Sequence, residues 1–391
     1  MPKPKKSTGL NTWSVADSVE SAADGTRPLR LRVVGVGGAA IHALTNIKQG
    51  ERIAVDTDGK ALRKLEGIQP VRIGETLLRG LSACGDAALG RQAAETDAET
   101  LRAAIAGAEV VVVIAGLGGG TGSGAAPWVA QLAQQTGALT LSIALIPFEF
   151  EPSGRRDLAR IGVASLRAVC DATLSISHDA LFTAAGDHSS AEDAFRRAES
   201  LVGEIVTALD AMLTGRGMGE ISLDELRKAW GSNHSELSFG IAQGSLDAQL
   251  SFATPTCSVE IISEADHLFV HLRGPDLRLS EIQGVTEQLR TMNPGARISL
   301  CASAGSDQPT LVIFAARSKP ADETAVANLP APTLGAAFTP SPKKNKKPQQ
   351  QTLPLDTPTR GRFEQSEPTI YDGEDLDIPT FLRKHVRLVE K

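Results

Sequence analysis

Residues 110–127 read VVVVIAGLGGGTGSGAAP, and this stretch limits the possible folds more than any other. Four valines and an isoleucine at 110–114 form a short apolar run of the kind found in strands buried on both faces of a parallel sheet. Residues 125–133 then carry the small and apolar side chains of a helix, with Pro127 acceptable in a first turn. Strand, glycine loop and helix in that order aim backbone N–H groups and a helix N-terminus at an anion. Gly118, Gly119, Gly120, Gly122 and Gly124 lack the Cβ atoms that would hold a phosphate away, and they permit positive φ. Thr121 and Ser123 add two hydroxyl donors.

Bulk properties narrow the class. A length of 391 residues predicts two domains. The net charge of −6 argues against a nucleic-acid-binding protein. Cys84, Cys170, Cys257 and Cys301 are scattered without metal-ligand spacing, so they read as small core residues in a reducing compartment. No apolar run reaches membrane-span length. The basic start MPKPKKSTGL is followed by no apolar segment, so a cytoplasmic protein is expected.

Along the chain, residues 1–28 read as a polar, disordered arm. From 29 to 188, the strand patterns LRLRVVG, RIAVD, VVVVIAG, LTLSIALIP and TLSIS alternate with helical ones. That is the pattern of an α/β domain with a largely parallel sheet. A long helix follows within 189–216. Ala194, Phe195, Ala198, Leu201, Val202, Ile205, Leu209 and Met212 recur at helical spacing, Ser189 and Glu192 offer a capping box, and Gly215 and Gly217 end it. A helix this long and apolar belongs between two domains. Residues 217–318 form an α+β unit, with strands in HLFVHLRG and LVIFAAR around a helix over 280–292. Residues 319–368, rich in Pro, Lys, Gln and Thr, read as a disordered linker. In 369–391, Phe381, Leu382, Val386 and Val389 return at helical spacing after Asp377 and Pro379.

RLRVVGVGGAAIHAL carries a second glycine motif. Gly35, Gly37 and Ala40 satisfy a dinucleotide fingerprint, and Asp56 falls where a ribose-binding acid would sit. A nicotinamide-linked enzyme is therefore a remote alternative. Two phosphate-binding loops in one sheet suit a nucleoside triphosphate better. With VVGVGG, IAVDTDGKALRKL, GRQAAE, GGGTGSG, PFEFE and the terminal DIPTFLRK, the chain resembles the tubulin/FtsZ superfamily, and within it the bacterial cell-division branch.

The resemblance implies a tubulin-like fold: a Rossmann-like N-terminal GTP-binding domain, a central helix and a C-terminal α+β domain. It implies GTP, with Mg2+, as the bound nucleotide. Gly35, Gly37, Gly38 and the GGGTGSG loop would approach the phosphates, and Asp56 and Asp58 occupy a loop near phosphates and metal. Glu151 and Arg155 match a ribose-contacting pair. Phe195 matches a base-stacking residue, though on this helix it could equally be core, and Glu199 stands where an Asp often pairs with guanine. Three departures stand out: His42 and His178 each replace an Asn, and SACGD (82–86) replaces a more glycine-rich loop.

In this superfamily the active site is split, and a loop of the next subunit supplies the acid that orients water. The matching segment GEISLDELR gives Glu220, Ser222 and Glu225. Ser222 and Glu225 are equally well explained as a capping box, and a register one residue earlier would favour Asp224. The resemblance implies a homopolymer whose protofilaments organise the bacterial division ring, with GTP hydrolysed between subunits. A weakly hydrolysing or non-hydrolysing scaffold is the alternative. Asp377, Ile378, Pro379, Phe381, Leu382, Arg383 and Lys384 would form a docking peptide for membrane adaptors or other division proteins, making membrane association indirect.

Overall fold

A computed structural model describes residues 29–63, 65–180, 190–215, 218–230, 235–243, 259–305 and 308–317, together with 370–371 and 374–375. Six parallel strands run through the N-terminal half: β1 (Leu31–Val36), β2 (Glu51–Asp56), β3 (Gln69–Arg72), β4 (Val110–Gly116), β5 (Leu139–Ile146) and β6 (Ala172–Ser177). Their order is β3-β2-β1-β4-β5-β6. The chain winds outward from β1 in one direction and from β4 in the other. The reversal between these two neighbours opens a crevice at their C-terminal ends.

The sheet continues through β7 (Ser235–Gln243), parallel to the start of β6. It then passes to β10 (Thr310–Arg317), β8 (His267–Arg273) and β9 (Arg297–Ser303), making ten strands among the described residues. β10 is antiparallel to both β7 and β8. Each strand expected from the sequence is present. β3, β7 and β9 are additional.

Helices cover both faces. α3 (Ala87–Thr96), α4 (Ala98–Ile105), α5 (Gly120–Gln135) and α6 (Ser153–Val169) bury one face of the parallel half. α1 (Gly38–Leu44) and α7 (Ala191–Thr214) bury the other. α2 (Glu75–Leu78) is a single exposed turn, while α8 (Leu223–Trp230), α9 (Val259–Ser263) and α10 (Leu279–Met292) pack in the C-terminal half. The apolar stripe of α7 (Leu201, Val202, Ile205, Val206, Leu209, Met212) belongs to one continuous core that runs from Val33 and Ile114 to Phe239 and Phe314. The central helix thus joins the two halves by shared burial. Its capping box is Ser190 with Asp193, one residue beyond the expected Glu192 pairing; Ser189 lies outside the described residues. Gly215 ends it in the left-handed conformation.

Two further features differ from the sequence expectation. α5 starts at Gly120 rather than near Ala125, so Pro127 sits inside the helix and not in its first turn. Glycine is a poor helix former, but tertiary packing overrides that here: a Cβ at Gly122 or Gly124 would collide with the carbonyl oxygen of Gly116 or Ala87. Cys84 is exposed, with a φ of 45°, and is not a core residue; Cys170 and Cys301 are buried. Cys257, the arm 1–28, the linker 319–368 and the docking residues Asp377, Ile378, Pro379, Phe381, Leu382, Arg383 and Lys384 lie outside the described residues. In the separate unit of residues 327–391, Ile370–Tyr371 pairs with Glu374–Asp375 as a short antiparallel ladder. Among the described residues no helix is long and apolar enough to cross a membrane.

Candidate nucleotide site and the opposite edge

Most of the residues expected to hold a nucleotide follow the C-terminal ends of the parallel strands, at one edge of the sheet. Gly35 lies near the end of β1, with Gly37 and Gly38 just past it. Asp56 ends β2, Gly118 and Gly119 follow β4, Glu151 follows β5 and His178 follows β6. The two glycine loops touch, because β1 and β4 are neighbours and Val36 pairs with Ala115. A Cβ at Gly37 would lie 3.1 Å from the Gly122 nitrogen. Gly37 and Gly118, at φ of 84° and 85°, make the turns that lead into α1 and towards α5. A Cβ at Gly38 or Gly119 would meet no protein atom within 4 Å, so space is open beside the backbone at those two positions. The first-turn N–H groups of α5, at Gly120, Thr121 and Gly122, have no intrahelical acceptors. The site can therefore receive an anion on backbone donors.

The two hydroxyls of the loop are committed to bracing it. The Gly118 N–H donates to Ser123 Oγ at 2.9 Å. Thr121 and Thr57 share a hydrogen bond of 2.9 Å, and the Ala83 N–H donates to Thr57 Oγ1 at 3.2 Å. Thr57 thereby ties the β2 loop, the 82–86 loop and the glycine loop together, which the sequence did not reveal. Asp56 is 4 % exposed and accepts the N–H groups of Thr57 and Asp58 at 2.7 and 3.1 Å. Burial pushes its carboxyl up, against the N–H groups of Asp58 and Thr57 and the Thr121 hydroxyl. It is an internal strut. Asp58 is half-buried and uses Oδ1 to accept the Lys60 N–H. Asp86 caps α3 by accepting from Ala88 and Leu89.

Aromatic rings adjoin this edge. Phe148 stacks on Phe150 at 4.8 Å and meets the edge of Phe195 at 5.4 Å. His178 lies 5.1 Å from Phe148 and 5.0 Å from Phe195. Phe150 is 76 % exposed and Phe195 41 %. The sequence signal for the first pair is PFEFE at the exit of β5, where Phe148 and Phe150 flank Glu149. Glu151 forms an ion pair with Arg155 at 2.8 Å and accepts the Phe148 N–H at 3.0 Å. His178 is buried, and its Nδ1 has no partner among the described residues. Burial holds its imidazole below the ordinary value, against the pull of Glu151 and Asp179. His42 lies on α1, and its carbonyl accepts the Thr45 hydroxyl at 2.7 Å. Glu199, half-buried on α7, accepts from Asn46 Nδ2 at 3.4 Å and borders a surface cavity with Gly203, Glu204 and Thr207.

Glu220, Asp224 and Glu225 lie elsewhere. Residues 218–222 are tied to β9 and α7: Met218 and Ala302 exchange N–H···O bonds of 2.7 and 2.8 Å, and the Ile221 N–H donates to the Met212 carbonyl at 3.0 Å. Ser222 Oγ accepts the Glu225 N–H at 3.2 Å, half of the expected capping box. The Glu225 carboxylate turns away from that box and accepts from Ser299 on β9. Glu220 and Asp224 are exposed. Two residues past Glu225, Arg227 donates to the Gly137 carbonyl at 2.7 Å, beyond the C-terminal end of α5 and just ahead of β5. α8 therefore sits at the edge opposite the glycine loops. The 16 residues of α5 and 24 of α7 separate the two edges, spans of about 24 and 36 Å at 1.5 Å per residue.

Comparison with known proteins gives a consistent result. The family model described as "Tubulin/FtsZ family, GTPase domain" matches residues 31–186. The chain is 31% identical to cell division protein FtsZ of Buchnera aphidicola subsp. Acyrthosiphon pisum over 274 residues, covering 67% of this chain and 71% of that protein. It is 31% identical to FtsZ 1 of Pyrococcus furiosus over 281 residues, covering 69% and 75%. Among solved structures, an empty FtsZ dimer from M. jannaschii aligns with a TM-score of 0.66 at 26% identity, over 74% of this chain and 88% of that one. CetZ2 from Haloferax volcanii, solved as a GTPγS-bound protofilament, shares the fold at a TM-score of 0.61 and 19% identity, over 76% and 96%.

Proposed function

Because the chain belongs to the tubulin/FtsZ family, of which it is a divergent member, we propose that it binds GTP at the glycine edge and stacks head to tail. In that arrangement Glu225 of one subunit activates hydrolysis on the next. The observation that carries this reading is the separation of the two edges. Glycine loops and Glu225 lie on opposite sides of one compact unit, joined by α5 and α7. A glutamate side chain cannot cross about 24 Å or more, so within one subunit the acid never meets the nucleotide. A second copy translated along α7 brings them together, and such a heterologous contact propagates as a filament.

In this reading the loops at Gly37, Gly38, Gly118 and Gly119 and the first turn of α5 hold the phosphates on N–H groups. Glu151 and Arg155 meet the ribose. Phe195 and His178, with Glu199, face the base. Asp56 is consumed internally, so Asp58 is the carboxylate available to a hydrated Mg2+, which would neutralise phosphate charge when bound. Glu225 holds the attacking water, with Glu220 as a second carboxylate. The cellular role that follows is a cytoplasmic division-ring polymer tethered through the C-terminal peptide. The division of the chain at the central helix into a nucleotide domain and an activating domain belongs to the same proposal. A GTP-gated scaffold without turnover is the second reading, favoured by Ser222: a residue expected in the activating loop is committed to capping α8.

The test is GTP turnover per subunit against protein concentration, beside sedimentation with GTP, for wild type and Glu225→Ala. Turnover that begins above a critical concentration and vanishes in the variant while pelleting persists supports the split site. Pelleting without turnover in either protein leaves the scaffold.

A further inference from the structure

We propose that Ser299 and His267 are positioning residues that fix the Glu225 carboxylate with one oxygen held and the other presented to the neighbouring subunit. This rests on the reading of Glu225 as the activating acid. Glu225 Oε1 accepts the Ser299 hydroxyl, and Ser299 Oγ lies 2.7 Å from His267 Nε2. The same imidazole nitrogen is 3.7 Å from Glu225 Oε1. The two partners come from different strands, β8 and β9, where Ser299 is the register partner of Phe269, two residues beyond His267.

The hydrogen count fixes the direction of this chain. A serine hydroxyl has one proton, and here it goes to Glu225. Its oxygen must then accept from His267, so the neutral imidazole carries its proton on Nε2. Burial favours that neutral form, with Glu225 opposing and Arg297 reinforcing the effect. The ring is fixed by parallel stacking on Phe269, with centroids 4.0 Å apart and 9° between planes. His267 is therefore a rigid donor, and Ser299 relays its orientation to the acid.

Glu225 itself is half-exposed, its side chain 39 % accessible, and Oε2 has no partner among the described residues. An acid that orients a water needs this combination of one oxygen anchored and one free. A glutamate also has one more rotatable bond than an aspartate, and each added rotor carries entropy that must be lost to reach a single geometry. The Ser299–His267 pair removes that freedom before the neighbouring subunit arrives. Sites held to a fraction of an ångström by such partners are the ones that work.

The experiment compares full-length wild type, Ser299→Ala, Ser299→Thr, His267→Gln, Glu225→Gln and the double variant Ser299→Ala/Glu225→Gln. It measures kcat above the critical concentration, the critical concentration, GTP affinity and thermal midpoint. Ser299→Ala and His267→Gln are expected to lower kcat by about tenfold, at the lower end of what orienting partners contribute. Critical concentration and affinity should stay within about twofold. Ser299→Thr keeps the hydroxyl and most of the rate, and the double variant is no slower than Glu225→Gln alone. A drop in thermal midpoint with kcat intact in both single variants would reduce the pair to a structural tie and overturn the proposal. Should Ser299→Ala fail to fold, His267→Gln and Ser299→Thr carry the same comparison. Full turnover in Glu225→Gln would instead sink the activating role of Glu225, a separate outcome read in the same assay.

Discussion

The two edges of this molecule solve different problems with different materials. At the glycine edge the groups proposed to hold the nucleotide are backbone: positive-φ turns at Gly37 and Gly118 and the first-turn N–H groups of α5. At the α8 edge the proposed activating group is a side chain, Glu225, held by Ser299 and His267 from two further elements. An anion that must bind in every subunit is met by dipoles that cannot rotate away. An acid that acts only on a neighbour has to project outward, and a projecting side chain needs partners to keep its aim.

The sharpest way to break the comparison is with glycines. Gly122→Ala drives a Cβ into the Gly116 carbonyl, so it should cost more than about 4 kcal/mol of stability and abolish soluble, folded protein. Gly119→Ala, with open space around it, should leave the thermal midpoint unchanged and weaken nucleotide binding. Equal midpoints for the two variants would show that loop packing is not what these glycines serve. At the other edge, Glu225→Gln should lower turnover by about a thousandfold, the range of a lost general base, with GTP affinity retained.

A third test concerns pH. His271 is 1 % exposed, bonds Ser303 through Nε2 at 2.8 Å, and is pushed down to about 4 by burial, with Arg273 adding to the effect. A folded-state value below the unfolded value of about 6.5 means the folded protein binds this proton less readily. The stability it protects is present above pH 6.5 and is lost as pH falls towards 4, up to about 3 kcal/mol. Denaturant midpoints at pH 7 and pH 5 should differ by less in His271→Gln than in wild type. The smallest effect is expected at the base. His178→Asn restores an amide beside Phe195, and the preference for GTP over ATP in competition binding should rise by about tenfold.

Legibility in the sequence follows the same division. Backbone sites write themselves as compact strings, since glycines, a strand and a helix start must be contiguous, and two phosphate-binding glycine loops in a largely parallel sheet are legible at 35–38 and 118–124, whereas the strand order is seen only in the fold. Side-chain sites are scattered: Ser299 and His267 lie 74 and 42 positions from Glu225 and carry no local pattern. Of the strands that were not anticipated, β3 and β9 are sheet edges with several half-buried or exposed positions, so their alternation is weak. β3 also carries Pro70. The start of α5 was missed because its glycines obey packing against β4 and α3 rather than helix propensity.

The placement of the proposed half-sites, glycine loops and Glu225, at opposite ends of α7 has a consequence for counting. In a head-to-tail stack every junction completes one site, so the number of working sites is always one fewer than the number of subunits. One end displays a nucleotide that no neighbour can act on; the other displays an acid with nothing to act upon. The ends of such a polymer are chemically unlike each other, and an isolated subunit is both ends at once. Turnover per subunit would then report filament length.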